Sequence, residues 1–199
     1  MKNWRVFYVA TTLFVLFAVA ALYEYTKPAS YHGALIDPPK AMPDFTLESV
    51  NRLVRLSDFR GKYVALYFGY TSCPDICPTT LAALKTALNQ LGILAAQVQV
   101  MFISVDYKRD TPQKVDSYVK NFRPDFIGLN GTQSEIDQVT QEFYIYYKLN
   151  DPDPATGSYS VDHTATILLL DRQGALVMTW PYDQQPDEIA SDLQILVRR

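Results

Sequence analysis

The chain has 199 residues, a net charge of −3 and 48% hydrophobic residues. Without an excess of base it lacks the signature of a nucleic-acid-binding protein, and its length allows one domain with a substantial core. Two cysteines are too few for a disulfide scaffold, so that pair is judged on its chemistry.

Lys2 and Arg5 precede an uncharged run, Val6 to Tyr23, and Glu24 follows it. At ~1.5 Å per residue such a helix spans about 27 Å, close to the ~30 Å hydrocarbon core. Positive charge before the run places residues 1–5 in the cytoplasm, and Trp4, Tyr8, Tyr23 and Tyr25 stand where interface anchors belong. The sequence predicts a single-pass transmembrane anchor over 6–23 in a bacterial cytoplasmic (inner) membrane, with the C-terminal domain on the periplasmic, extracytoplasmic side. Ala18-Val19-Ala20 before Ala21 also resembles a signal-peptide cleavage site, and either reading exports the domain. No Arg- and Ser-rich transit sequence precedes the run, which points to a bacterial envelope rather than a mitochondrion.

Residues 24–43 read as a linker, with Pro28, Pro38, Pro39 and Pro43 and no hydrophobic period. His32 inside it reads as a solvated loop residue, with an accessory metal ligand as the alternative. The domain then occupies 44–199. Phe45–Glu48 and Leu53–Leu56 are expected as short strands around a turn.

Tyr63 to Phe68, closed by Gly69, is a buried-strand pattern. A turn carrying Cys73 and Cys77 follows, and Pro78-Thr79-Thr80-Leu81 opens a helix to Leu91 with Leu81, Leu84, Leu88 and Leu91 on one face. Gln97–Val105 is a second core strand. A helix from a Thr111 cap with Pro112 at its first position runs to about Phe122. Phe126–Leu129 is a short extended piece. A further helix is expected over Ile136–Tyr147, with Ser134 or Thr132 as cap; its Phe143, Tyr144, Tyr146 and Tyr147 read as packing. Leu149–Ser160 is a polar loop, Thr164–Asp171 and Ala175–Trp180 a hairpin, and Pro186–Val197 the final helix. This order predicts an α/β fold: a thioredoxin-like mixed sheet with flanking helices and an extra N-terminal β-hairpin.

Both thiols fall at the carboxyl end of a buried strand beside a helix N-terminus, where open α/β sheets place reactive groups and where a thiol pKa is lowered. Each is followed by proline, which favours a tight turn over a helical one. Such a turn can close a disulfide or present two thiolates to one soft metal ion. His163, entering the strand after it, is expected beside the thiols, and two sulfurs with one imidazole suit Cu(I) or, with another donor, Cu(II) or Zn(II). Asp75 and Asp162 either orient His163, face a partner, or stand as solvated turn acids. Asp110 and Thr111 read as helix-start chemistry, and Asp106 either reaches the site or serves a turn.

Gly69-Tyr-Thr-Ser-Cys73-Pro-Asp-Ile-Cys77-Pro, Ser104-Val-Asp106 with Arg109-Asp-Thr-Pro112, and Asp162-His163 together resemble the SCO1/SenC/PrrC family. The resemblance covers roughly Pro43 to Arg199, with Tyr107 standing where the family often has proline. It implies a membrane-anchored, thioredoxin-like protein that binds copper, Cu(I) or Cu(II), through Cys73, Cys77 and His163. The implied role is metallochaperone in cytochrome c oxidase assembly, with oxidase subunit II or another copper acceptor as partner, beside an upstream copper donor or thiol reductant. The alternative it leaves open is a thiol–disulfide oxidoreductase using Cys73 and Cys77. A peroxiredoxin reading fails on its PxxxTxxC pattern: Pro74 and Tyr70 stand three and seven before Cys77.

Overall fold

A computed structural model describes residues 2–26, 30–50 and 52–198. Pro28, counted above in the linker, lies outside them. The chain divides into two compact units, residues 1–30 and 31–199. The first carries α1 (Lys2–Thr26), a continuous helix of 25 residues. Among the described residues, no helix is long and apolar enough to cross a membrane. The span expected over 6–23 is not shown by these residues. The stretch 7–20 of α1 is exposed along its whole length. It also contains Thr11 and Thr12, whose hydroxyls bond back to the carbonyls of Phe7 and Tyr8.

The second unit is built on a six-stranded sheet. In chain order its strands are β1 (Ala34–Ala41), β4 (Tyr63–Gly69), β5 (Val98–Ser104), β6 (Ile127–Leu129), β9 (Ile167–Leu170) and β10 (Ala175–Trp180), arranged β1-β10-β9-β4-β5-β6. The hairpin β2 (Thr46–Ser49) and β3 (Arg52–Arg55) and the ribbon β7 (Tyr147–Leu149) and β8 (Val161–His163) form separate two-stranded pieces. The helices are α2 (Ile76–Leu91), α3 (Pro112–Lys120), α4 (Gln133–Glu142) and α5 (Pro186–Val197). β4 pairs parallel with β5 and antiparallel with β9, so it is central and buried on both faces. Alternation along it divides the core. Tyr63, Ala65 and Tyr67 meet α2, α3 and α5, while Val64, Leu66 and Phe68 meet the β2–β3 hairpin, α4 and Phe143.

The expected linker is shorter than 24–43, because β1 belongs to the sheet. Its prolines are tolerated because it is an edge strand. Ala34 and Leu35 pair with Thr179 and Met178, Lys40 and Ala41 pair with Leu176 and Ala175, and the register shifts across Pro38 and Pro39. His32 is an exposed loop residue, as expected, but its backbone is held. Its N–H and that of Gly33 donate to the buried Asp192 carboxylate at 2.9 and 2.8 Å, and Trp180 Nε1 donates to the same group at 2.9 Å.

The helix expected to reach Tyr147 ends at Glu142. Thr132 caps it in a capping box with Glu135. Tyr144 then takes a φ of 60°, a left-handed value that stops an α-helix. Beyond it Phe143 and Ile145 are buried and Tyr144 and Tyr146 exposed, so the aromatic stripe is not one packed face. Those residues lead into β7, whose partner β8 carries His163.

Candidate metal centre

The β4–α2 connection places the sulfurs. Its helix starts two residues before Pro78, at Ile76, so Cys77 lies in the first helical turn and not in a separate tight turn. The proline is accommodated because the first N–H groups of a helix have no intrahelical partner in any case. One of those orphan donors, the Cys77 N–H, is accepted by Cys73 Sγ at 3.4 Å. Cys77 points inward and is fully buried, with the Tyr67 hydroxyl donating to its sulfur at 3.8 Å. Gly69 makes this possible: a Cβ there would lie 2.7 Å from Cys77 Sγ and 2.8 Å from Phe102 Cε2. Cys73 is half-exposed at the surface of the turn, and the two thiols are free.

The turn is pinned from below by Asp110. Its carboxylate accepts Thr71 N–H at 2.9 Å, Thr71 Oγ1 at 2.5 Å and Ser104 Oγ at 2.6 Å, and pairs with Lys114 Nζ at 2.9 Å. Burial opposes its ionisation, yet the bonds from Ser104, Thr71 and Lys114 hold its pKa below the ordinary carboxylate value. Asp110 therefore does more than start α3, where Thr111 is the cap, accepting the Lys114 N–H.

His163 comes from 86 positions downstream, and its Nε2 lies 3.7 Å from Cys77 Sγ. Nδ1 meets the Thr164 carbonyl at 3.1 Å. A carbonyl can only accept, so Nδ1 carries a proton and the ring is oriented with Nε2 toward the sulfur. The ring is held edge-on between Tyr70, with centroids 5.9 Å apart at 88°, and Tyr67 at 6.4 Å and 70°. A cleft of about 410 Å³ opens here, lined by Tyr70, Cys73, Asp75, Ile76, Asp162 and His163 among others. Asp75 and Asp162 thus line the opening, while the orienting partner of His163 is a backbone carbonyl.

The two sulfurs differ electrostatically. The Cys77 thiol donates to Cys73, which, with the N–H groups of Cys77 and Asp75 and the nearby imidazole, outweighs partial burial and lowers the Cys73 pKa to about 5. The same bond, then burial, pushes the Cys77 thiol up. Burial, then the neighbouring Cys77, likewise raises Tyr67. The electrostatics thus favour the thiolate at the surface Cys73 and the thiol at Cys77 beneath it.

The structure thus brings Cys73, Cys77 and His163 together. Among the described residues, however, no group of three or more His, Cys, Asp or Glu side chains stands ready-made to hold a metal ion. The Cys73 sulfur is occupied with the helix N-terminus. Sequence reasoning passed over Gly69 and Tyr70 as site residues, and read Asp110 only as a helix start. It also left Asp106 open. Asp106 is fully buried, accepts Arg109 Nε at 2.5 Å and the Tyr159 hydroxyl at 2.7 Å, and so ties two loops together behind the cleft.

Residues 34–198 match the family model described as SCO1/SenC. The chain is 36% identical over 159 residues to an SCO2-like protein of Rickettsia felis, covering 79% of this chain and 78% of that protein. Its fold is similar to apo Sco1 of Thermus thermophilus, with a TM-score of 0.78 and 41% identity over 84% of this chain and 97% of the other. It is also similar to ScoI of Bradyrhizobium japonicum with copper bound, with a TM-score of 0.71 and 38% identity over 78% of this chain and 99% of the other.

Proposed function

The chain belongs to the SCO1/SenC family, and from that premise we propose that it is a copper metallochaperone whose cargo is held by Cys73, Cys77 and His163. The observation that carries this reading is the approach of His163 Nε2 to Cys77 Sγ, 3.7 Å across 86 residues of chain. Bond lengths of ~2.3 Å to sulfur and ~2.0 Å to nitrogen at about 120° call for a sulfur–nitrogen separation of about 3.7 Å. Two thiolates and a neutral imidazole form a soft set suited to Cu(I). Binding asks Cys77 to lose its proton and Cys73 Sγ to turn from the helix N-terminus, so affinity should fall with acidification. The proposed acceptor is the binuclear copper site of cytochrome c oxidase. The copper-bound Bradyrhizobium ScoI supports copper as the cargo.

The proposal includes an extracytoplasmic, membrane-attached setting. It is supported by the exposed Phe7, Leu13, Phe14, Leu16 and Phe17 on α1. Extraction of the full chain from membranes by alkaline carbonate would count against that attachment.

Anaerobic Cu(I) titration against a chromophoric competitor tests the cargo. One tight equivalent is expected in the reduced protein, weakened in His163→Ala and absent in the Cys73–Cys77 disulfide form. Equal affinity in the oxidised protein would overturn the reading. The thiolate–thiol asymmetry favours a second one, thiol–disulfide reduction: Cys73 attacks a substrate disulfide, and Cys77, deprotonated, displaces the reduced substrate thiolate to close the Cys73–Cys77 disulfide. Turnover of a disulfide substrate with no copper uptake would select it.

A further inference from the structure

The ribbon that carries His163 is short and stands outside the main sheet. β7 and β8 are three residues each and pair only with one another, and a ribbon of that size is marginal alone. Yet the imidazole must face the thiols. Along the segment leading to it, burial alternates: Tyr159 is half-buried, Ser160 exposed, Val161 buried, Asp162 exposed and His163 half-buried. In extended chain these alternate residues share one face, and a one-residue slip would turn His163 away. Whatever fixes Tyr159 therefore fixes the side on which His163 emerges.

Tyr159 is fixed at three points. Its hydroxyl donates to Asp106 Oδ1 at 2.7 Å, its carbonyl accepts Arg109 Nη1 at 2.7 Å, and the Arg109 guanidinium lies 3.6 Å from its ring centroid. Arg109 is itself anchored to the buried Asp106 through Nε at 2.5 Å. The guanidinium also lies 5.8 Å from the ring of Tyr70, the residue set edge-on against His163. A planar, forked cation reaches all of these at once, which an ammonium cannot do.

We propose that Arg109 and Tyr159, clasped on Asp106, are positioning residues that present His163 to Cys77. This rests on the reading of His163 as a copper ligand.

The variants are Arg109→Gln, Arg109→Lys and Tyr159→Phe, the last removing only a hydroxyl and serving as the decisive one should the arginine variants fail to fold. Cu(I) affinity is expected to fall about 10- to 100-fold in Arg109→Gln, the usual range for losing an outer partner of a ligand. Tyr159→Phe should show a smaller loss and Arg109→Lys should not rescue. In the metal-free protein, amides 161–164 should exchange faster than in the parent, while the reduction potential of the Cys73–Cys77 pair stays at the parent value. Folded variants with parental Cu(I) affinity and parental amide exchange would overturn the proposal, as would a thiol-pair potential that moves with the affinity. His163→Ala separates the two levels: parental copper affinity there would refute the ligand reading, while the exchange data would still judge the clasp.

Discussion

Gly69→Ala tests how tightly the site is built into the core. The added methyl would sit 2.7 Å from Cys77 Sγ and 2.8 Å from Phe102 Cε2. Ordinary contact distances are about 3.5–4.0 Å, so the sulfur or the ring must retreat by roughly 1 Å. Neither has room, since Cys77 and Phe102 are both fully buried. Overpacking of this kind costs about 1–3 kcal/mol. Against it stands a gain of about 0.4–1 kcal/mol from restricting the unfolded chain. A net loss of about 1–2 kcal/mol remains, or roughly 2–8 °C in Tm for a domain of this size. The same displacement spoils the 3.7 Å approach to His163 Nε2, so Cu(I) affinity is expected to fall at least about tenfold. Thermal melting of the metal-free protein and competitive Cu(I) titration read the two effects separately. A variant that melts at or above the parent and binds Cu(I) equally would show that the close contact of Gly69 with the sulfur is immaterial.

Cys73, with its pKa near 5, should be alkylated by iodoacetamide at pH 6 while Cys77 is spared; mass mapping showing Cys77 modified first would contradict the assignment. Because the folded pKa is depressed, the stabilising share of the thiolate is full above the unfolded thiol value of ~8.5 and drains away as pH falls toward 5. Cys73→Ser should therefore destabilise more at pH 8 than at pH 5 in urea titrations, and equal losses at both would refute that sign. Asp192→Ala strands the buried Trp180 Nε1–H and the part-buried N–H groups of His32 and Gly33, and should cost roughly 3 kcal/mol with early amide exchange in β1. Parental exchange in β1 would mean that the carboxylate does not hold that edge.

Much of this was readable in the residues. The apolar run 63–68 could only be a buried strand, the Thr111-Pro112 and Pro186 starts mark helices by their caps and missing N–H groups, and two cysteines at a strand–helix junction announce thiol chemistry. The misses have physical reasons. Prolines 38 and 39 signal a linker unless the strand is known to be an edge, and nothing local to the sequence says so. Phe143 to Tyr147 reads as helix on its apolar content, while its burial alternates with a period of two. The contribution of Asp110 needed Thr71, 39 positions away, to be seen beside it. Gly69 looks like a strand terminator until a sulfur is found against it.

The site draws on elements of unequal rigidity, and that bears on how cargo could leave. Cys77 belongs to the first turn of α2 and packs against the central strand, and Asp110 locks the turn before it to β5. His163 rides on a three-residue strand outside the main sheet, with a backbone carbonyl as its orienting partner. Opening that ribbon breaks only its own short ladder and leaves the six-stranded sheet intact, whereas moving Cys77 disturbs the core beside the central strand. On the proposed reading, the imidazole is the ligand best placed to release first, leaving the thiol pair to face an incoming acceptor. The division of labour follows from where the chain puts each donor: sulfur on the scaffold, nitrogen on the hinge side.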